Sequence, residues 1–352
     1  MTLDTSRISV LTPYLIPESL RGRKVVNLGD GFILRAIERR IGEVVAGRCF
    51  TPRIAPDAAA ERVIRGSALV ILGGANQLND KYTIWPRLTA DQIRERRYRF
   101  VPFGIGIHGE PGYTDGLSQA TRDVLTAVHE QIAYSSWRCP RTVDFLKAQM
   151  PELASKLLMT GCPVIYDSPL LDSSRFTHDE RAVAVTVTER GDFWDRESAT
   201  IDFVARRFPR ARRFMVLHQN YSPPGPLEHW RHRLTPYRSV QNQYERLRWY
   251  AAKRGFTVIT PRTADDCLHF YRNVDVHVGS RLHAHLHFLS QNKRTFLVGV
   301  DERATGMAEH FGFPLCDPAR FDAHMDFDFE IVRARAIDTF ATMQQFVSAL
   351  TC

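Results

Sequence analysis

The stretch with the richest chemistry is a run of basic side chains at the start of one helical pattern. An apolar strand pattern ending at Val278 is followed by Gly279-Ser280, and a helical pattern begins at once. The first backbone N–H groups and the positive dipole end of such a helix suit an anion. Arg281 adds a guanidinium fork there, and His283 adds an imidazole that can move a proton. On the sequence alone, Ser280 can equally be a helix N-cap and Arg281 the partner of a local carboxylate.

Four histidines in this region raise the question of a metal site. His283 and His287 lie four residues apart, so one helix face could present both to a metal ion. No acidic residue lies between them as in the H-E-x-x-H arrangement, while His277 lies on the strand and His285 on another helix face. We therefore predict no metal site and expect His277, His285 and His287 to be ordinary buried or surface side chains.

Two further arginines follow strand patterns in the same way as Arg281. Arg138 lies between a strand and a helical pattern, and Arg303 lies between the strand pattern at 295–300 and the next helix. Ligands of open parallel sheets bind beyond the carboxyl ends of the strands, so we expect all three arginines at a ligand-binding edge. Arginines that converge on one cleft suit a small, highly anionic substrate.

Three glycine-containing loops also follow strand patterns, at 27–31, 73–76 and 104–106. Glycine lets the backbone approach a ligand closely, although tight turns between strands and helices use it as well. None of the loops is a G-x-G-x-x-G or Walker A motif, so nicotinamide and ATP chemistry are unsupported. The residues at this edge that we expect to contact a ligand are Asn27, Asp30, Gly74, Asn76 and His108.

Two successive series of alternating strand and helix patterns must position these residues. The first series opens with a short strand at 24–26 and includes strands at 68–72, 99–107 and 132–135; the second begins at 182–188. Continuous β-branched runs between helices indicate parallel strands covered on both faces. We predict an α/β protein with two facing Rossmann-like domains and a cleft between them. The predicted boundaries are 1–172 for the N-terminal domain, 173–330 for the C-terminal domain, and 331–352 for a last helix that can pack back on the first.

Composition excludes several classes of protein. The 352 residues include 41 Arg but only 6 Lys, and the net charge is +8. The basic residues are dispersed without basic-aromatic motifs, so we predict no nucleic-acid partner. No apolar stretch approaches the ~20 residues of a membrane helix, and the N-terminus does not look like a secretory signal. Six cysteines without paired spacing favour a reducing cytoplasm.

These motifs together resemble the polysaccharide pyruvyl transferase family, over most of residues 20–315. The strand followed by R-L-H is the most specific of them. The full set comprises the N-L-G-D loop at 27–30, Gly73-Gly74 with Asn76, Gly104-Ile105-Gly106, R-x-x-x-T at 138–142, Gly161-Cys162-Pro163, and G-S-R-L-H-A-H at 279–285.

The resemblance implies a fold of the GT-B type and a transferase in polysaccharide biosynthesis. Such enzymes move the enolpyruvyl unit of phosphoenolpyruvate onto two hydroxyls of a sugar, which forms a cyclic pyruvate ketal and releases phosphate. By match to the family motif, Arg281 and Arg138 would bind phosphoenolpyruvate with help from the amide of Leu282. His283 would be the general acid/base, with Ser280 and Arg303 at the same site. Phosphoenolpyruvate is then a co-substrate, and no separate cofactor or metal is needed.

The N-terminal domain would hold the acceptor, which is a sugar, a nucleotide sugar or a lipid-linked glycan. A lipid-linked acceptor leaves room for peripheral contact with a membrane surface, without a transmembrane segment. The chain departs from the family pattern in having Arg303 where relatives often have Lys, which changes the donor geometry. It also has Cys162 where many relatives have Asp.

Two other functions fit the fold. The first is a GT-B glycosyltransferase that uses a nucleotide sugar. It would need an acidic residue for the ribose, and none is evident after the strand at 213–218. The second is a binding subunit without turnover, against which the intact Arg138, Arg281 and His283 argue.

Overall fold

Two parallel sheets organise the part of the chain that the computed structural model describes, which comprises residues 3–17, 26–107, 116–172, 175–188, 193–220 and 240–350. The strands are β1 (Ile8–Leu11), β2 (Val26–Asn27), β3 (Cys49–Phe50), β4 (Leu69–Gly73), β5 (Asn76–Leu78), β6 (Phe100–Ile107), β7 (Ser135–Trp137), β8 (Leu157–Met159), β9 (Ala182–Thr186), β10 (Arg212–Val216), β11 (Gln219–Asn220), β12 (Thr257–Ile259), β13 (Val276–Gly279) and β14 (Thr295–Leu297). The α-helices are α1 (Leu28–Ile41), α2 (Ala58–Arg65), α3 (Ala90–Arg96), α4 (Gln119–His129), α5 (Pro140–Gln149), α6 (Ser168–Leu171), α7 (Trp194–Arg207), α8 (Val240–Ala252), α9 (Ala264–Tyr271), α10 (Leu282–Ser290), α11 (Glu302–Phe311) and α12 (Glu330–Ala349).

The sheets have the topology of two Rossmann-like domains. The first has the strand order β3-β1-β4-β6-β7-β8, with β5 beside β6, and the second has the order β12-β10-β9-β13-β14. Every strand pair within both sheets is parallel. Central strands such as β4 and β9 are buried throughout, as expected for sheets covered by helices on both faces. The protein is therefore an α/β protein with two facing parallel sheets, the arrangement known as GT-B.

The last helix, α12, leaves the second domain and packs on the first. The ring of Phe346 lies 4.9 Å from that of Phe103 on β6, and the ring of Phe340 lies 5.3 Å from that of Tyr166. The Arg333 guanidinium donates to the carbonyl of Asp172 at 2.7 Å. Among the described residues, no helix is long and apolar enough to cross a membrane.

The two domains are tied together beside the cleft between them. The short strand β2 pairs antiparallel with β11, and the amide of Leu28 donates to the carbonyl of His218 at 2.9 Å. Arg35 on α1 donates to both carboxylate oxygens of Asp265 on α9, at 2.8 and 2.5 Å. Arg141 on α5 makes a similar fork with Glu309 on α11, at 2.7 and 2.5 Å. These contacts fix the positions of α1 and α5 relative to the second domain.

Two of the predicted strands do not lie where the sequence patterns placed them. The pattern at 24–26 does not open the first sheet, because Val26–Asn27 pairs with the second domain and residues 24 and 25 lie outside the described part. The sheet instead includes β1, a four-residue strand that is too short to show periodicity.

The strand predicted at 132–135 is Ser135–Trp137, shifted towards polar residues. Those serines are tolerated in the core because their hydroxyls are hydrogen-bonded. Ser135 contacts His129 Nε2 at 2.8 Å, and Ser136 accepts from the amide of Gly104 at 3.0 Å.

Candidate active site

A cleft of about 480 Å³ lies between the two domains, where the carboxyl ends of strands from both sheets meet. Five residues predicted from the sequence line it together. They are Asn27, Asp30 and Asn76 from the first domain and His283 and Arg303 from the second.

His283 projects from the first turn of α10 towards the N-terminus of α1. Its side chain is buried, and its Nε2 has no hydrogen-bond partner among the described residues. The imidazole lies so close to Gly29 that a Cβ on that residue would be 2.7 Å from Nδ1. Burial, followed by the positive charges of Arg303 and Arg138, holds the pKa of His283 well below its usual value. The imidazole is therefore neutral at neutral pH, and a bound anion would favour its protonation.

Arg138 lies at the end of β7 and is almost completely buried, with 1% of its surface exposed. Its Nε and Nη1 have no hydrogen-bond partner among the described residues. Its guanidinium packs against the backbone of Gly106, where a Cβ would lie 2.1 Å from Nη2. Burial lowers the pKa of this guanidinium. A buried cation without a partner is unfavourable, so the position is set up for an anion that the protein itself does not supply.

The turn before α10 holds Ser280 and Arg281, and the structure settles the capping role of Ser280. Ser280 is not the N-cap, because its hydroxyl donates to the buried Glu197 at 2.7 Å. It is not among the residues that line the cleft. Arg281 occupies the cap position without a capping side-chain bond, and its Nε donates to the carbonyl of Val187 at 2.9 Å. Leu282 is the first residue of α10, so its amide is among those without an intrahelical acceptor.

Arg303 lies in the first turn of α11 and is held by the N-cap of that helix. The Asp301 carboxylate accepts from the Arg303 amide at 3.1 Å and from its Nε at 2.8 Å. Burial raises the pKa of Asp301, but Arg303 and Arg138 outweigh it and bring that pKa below its usual value. The sequence prediction that Arg303 faces the cleft fits its place in the lining.

Asn27 and Asp30 belong to the start of α1. The Asn27 Oδ1 accepts from the amide of Gly29 at 3.2 Å, which makes Asn27 the N-cap. The side chain of Asn27 also acts on Asp30 and lowers the pKa of its carboxyl. Burial raises the pKa of Asp30 to about 6, against the opposing effect of Arg303 and Arg53.

The three remaining predicted positions have different outcomes. Asn76 lies on β5 beside Gly106 and lines the cleft. Gly74 does not line the cleft, and a Cβ there would lie 2.4 Å from the carbonyl oxygen of Gly104. Position 74 requires glycine because two backbone segments approach closely there, and not because of a ligand. His108 lies outside the described residues.

The other histidines near His283 are also buried. His277 contacts Thr186 Oγ1 and Thr295 Oγ1, both at 2.7 Å, and His285 contacts Thr295 Oγ1 at 2.9 Å. The His287 ring packs 5.8 Å from that of Phe32. Within the described ranges, no group of three or more His, Cys, Asp or Glu side chains could hold a metal ion.

Sequence reasoning missed two cations that line the cleft, Arg53 and Lys81. Arg53 follows the two-residue strand β3, and its guanidinium donates to the carbonyl of Pro13 at 3.0 Å. The strand was too short to recognise, so Arg53 was not placed at a strand end. Lys81 lies downstream in the same loop region as Asn76, so its proximity in sequence was the available signal.

Solved structures with a similar overall course include a Streptococcus pneumoniae complex of accessory secretory proteins 1, 2 and 3, at 11% identity and a TM-score of 0.44. That match covers 92% of this chain and 56% of the other, so the chain spans little more than half of that protein. The apo structure of OtsA matches at 11% identity and a TM-score of 0.47, covering 98% and 99% of the two chains. A structure of S. aureus MnaA with UDP matches at 13% identity and 0.47, covering 89% and 84%. Scores this low support no functional argument.

No curated protein matches the chain significantly. The model of one family, described as polysaccharide pyruvyl transferase, matches residues 27–302. The matched range begins at the N-cap of α1, ends in the first turn of α11, and so includes both walls of the cleft. The chain belongs to the polysaccharide pyruvyl transferase family.

Proposed function

We propose that this protein transfers the enolpyruvyl unit of phosphoenolpyruvate to two hydroxyls of a sugar or glycan, forming a pyruvate ketal and releasing phosphate. The observation that carries the proposal is the buried guanidinium of Arg138 behind the cleft wall, whose charge acts on the imidazole of His283 in the cleft lining although Arg138 itself does not line the cleft. Arg138 is a buried guanidinium with two unpartnered nitrogens, and His283 is a neutral imidazole with a free Nε2 among the described residues. The pair suits a substrate that brings negative charge and needs a proton.

The charges around the cleft support a small polyanion as the donor. Arg138, Arg281 and Arg303 all act on the pKa of His283, which places their charges close to its ring. The Asp301 carboxylate opposes them there, and it is already held by Arg303. Phosphoenolpyruvate carries a phosphate and a carboxylate on three carbons, and arginine forks bind both groups bidentately. The amide of Leu282 at the start of α10 adds a further donor.

His283 is the residue we assign to proton transfer. Binding of the polyanion would raise the pKa of its imidazole from its low resting value, so that it takes up a proton with the donor. The imidazolium can then protonate the methylene carbon of phosphoenolpyruvate while a sugar hydroxyl attacks C2. Arg281 and Arg138 stabilise the carboxylate and phosphate as charge redistributes.

The acceptor would occupy the first-domain side of the cleft, beside Asn27, Asp30 and Asn76. We propose a sugar, a nucleotide sugar or a lipid-linked glycan there and no nucleic acid. We place the reaction in the cytoplasm, which agrees with the free thiols of all cysteines in the described part, namely Cys49, Cys139, Cys162, Cys267 and Cys316.

The test is phosphate release from phosphoenolpyruvate with a panel of sugars, nucleotide sugars and lipid-linked glycans. We expect release only with an acceptor, together with an acceptor mass increase of one three-carbon unit. His283→Ala should abolish turnover while the Kd for phosphoenolpyruvate changes little. Consumption of a nucleotide sugar as donor, with phosphoenolpyruvate untouched, would instead indicate a glycosyltransferase and refute the proposal.

A further inference from the structure

We propose that Asp30 is the second proton-transfer group of this cleft and takes the proton from the acceptor hydroxyl that attacks the donor. The inference rests on the proposed function, which assigns His283 to the donor carbon. His283 cannot remove this proton in the step in which it donates its own. The inference therefore assigns the removal to a buried carboxylate on the opposite wall of the cleft.

The geometry places the two groups on facing elements. Asp30 is in the first turn of α1, and His283 is in the first turn of α10. The two helix starts touch, because a Cβ on Gly29 would lie 2.7 Å from His283 Nδ1. Both side chains line the same cleft. An acceptor bound against α1 therefore has a carboxylate beside it and the donor site ahead of it.

The start of α1 places Asp30 at the cleft wall. Asn27 caps the helix by accepting from the Gly29 amide at 3.2 Å, and its side chain lowers the pKa of the Asp30 carboxyl. Asp30 lies in the first turn of this capped helix and lines the cleft. In the described part of the chain, no salt bridge within 4.0 Å commits Asp30 to a cation.

The electrostatics separate the roles of the two groups. Burial dominates at Asp30 and raises its pKa to about 6, while Arg303, Arg53 and Arg281 oppose the rise. Burial and cations lower the pKa of His283. A carboxylate with a pKa near 6 is ionised at neutral pH but accepts a proton more readily than an ordinary one, as a general base should.

The two residues together balance the protons of ketal formation. In the first step, the His283 imidazolium gives its proton to C3 of phosphoenolpyruvate, the first hydroxyl oxygen bonds to C2, and Asp30 takes that hydroxyl's proton. In the second step, the second hydroxyl oxygen bonds to C2, the C2–O bond to phosphate breaks, and neutral His283 takes the hydroxyl proton. Protonated Asp30 then supplies its proton to the departing phosphate. The two hydroxyl protons end on the methyl group and on phosphate, and both residues return to their starting states.

The experiment compares Asp30→Asn with the wild type in acceptor-dependent phosphate release and in phosphoenolpyruvate binding. We expect kcat to fall by about 100-fold or more, the range typical of a lost general base, with the Kd for phosphoenolpyruvate changed by less than about threefold. Asp123→Asn, on the exposed face of α4, is the matched control and should keep wild-type kcat. In Asp30→Ala, added formate should restore part of the lost rate, which a purely structural role would not allow.

The outcomes separate this inference from the proposed function. If the wild type does not turn over phosphoenolpyruvate with any acceptor, both fall. If the wild type is active and Asp30→Asn keeps its kcat, or formate has no effect on Asp30→Ala, the assignment of Asp30 alone is overturned. If Asp30→Asn does not give a wild-type circular dichroism spectrum, Asp30→Ser replaces it in the same measurements.

Discussion

Replacement of Arg138 by methionine should make the protein more stable and inactive at once. The guanidinium is buried with Nε and Nη1 unpartnered among the described residues, and burial already lowers its pKa. Each buried donor without an acceptor costs about 1–3 kcal/mol, and replacing buried charges by apolar side chains often stabilises a protein by about 1–4 kcal/mol. We therefore expect Arg138→Met to raise the free energy of unfolding by about 1–4 kcal/mol.

The same change should remove most of the affinity for the donor. A hydrogen bond to a charged group contributes about 1.5–3 kcal/mol, and two nitrogens of Arg138 have no hydrogen-bond partner among the described residues, so we expect them to bind the donor. Their loss corresponds to an increase in the Kd for phosphoenolpyruvate of about 100-fold or more. Arg141→Met is the matched control, because Arg141 is exposed and paired with Glu302 and Glu309. Loss of those exposed pairs should cost about 0–1 kcal/mol of stability.

Urea unfolding with and without phosphoenolpyruvate measures both effects. At 100 times Kd, the ligand should stabilise the wild type by about 2.7 kcal/mol and leave Arg138→Met unchanged. An Arg138→Met protein that is less stable than the Arg141→Met control would refute the view that burial of the Arg138 guanidinium lowers the free energy of unfolding. An unaltered Kd would place the anion site elsewhere.

Two further predictions concern the histidines. Gly29→Ala should displace the His283 ring, since its Cβ would lie 2.7 Å from Nδ1, and lower kcat by about 100-fold with stability within about 1 kcal/mol of wild type; wild-type kcat beside an equally active Gly66→Ala control would show that the ring can move. Acid should destabilise the protein well above the pH at which carboxylates titrate. Among the buried histidines, burial lowers the pKa of His129 to about 4 and the pKa of His277 and His287 to about 3. The unfolded chain therefore binds more protons below pH 6.5, and stability falls as pH falls from 6.5 through 5, by up to about 1.4 kcal/mol per pH unit for each histidine. Urea unfolding over pH 5–7.5 measures this slope, and a flat profile would contradict the burial of these side chains as neutral groups.

The sequence predicted the second domain better than the first, for a physical reason. The central strand of the second sheet is a continuous run of small apolar and β-branched residues, and the strand predicted from 182 onwards is found at Ala182–Thr186. In the first sheet, β1 and β3 have four and two residues, and β7 contains two serines. Periodicity cannot reveal strands this short or polar, because hydrogen bonds from distant side chains make them compatible with the core.

Residues of the candidate site also differ in how well the sequence predicted them. His283 could be predicted because it follows the clear strand β13, and Arg138 because the pattern before it still indicated a strand end, although β7 itself lies further along the chain than predicted. Arg53 could not, since β3 was not recognisable. Ser280 and Gly74 were predicted to contact the ligand, but neither lines the cleft. Their surroundings, a buried Glu197 and the Gly104 carbonyl, come from segments far away in the sequence.

The contacts between the domains explain why the site needs both of them. Arg138 comes from the first sheet and His283 from the second, and neither has a complete set of partners in its own domain. The chemistry therefore depends on the relative position of the two sheets to within the tolerance of a hydrogen bond. The fork between Arg35 and Asp265, the pairing of β2 with β11 and the return of α12 onto β7 and β8 all act on that position. Because the first turn of α1 also carries Asp30 and contacts His283, any shift between the domains would move Asp30 and His283 relative to each other. For the proposed transfer, contacts between the domains would hold the donor and acceptor groups in register before either substrate binds.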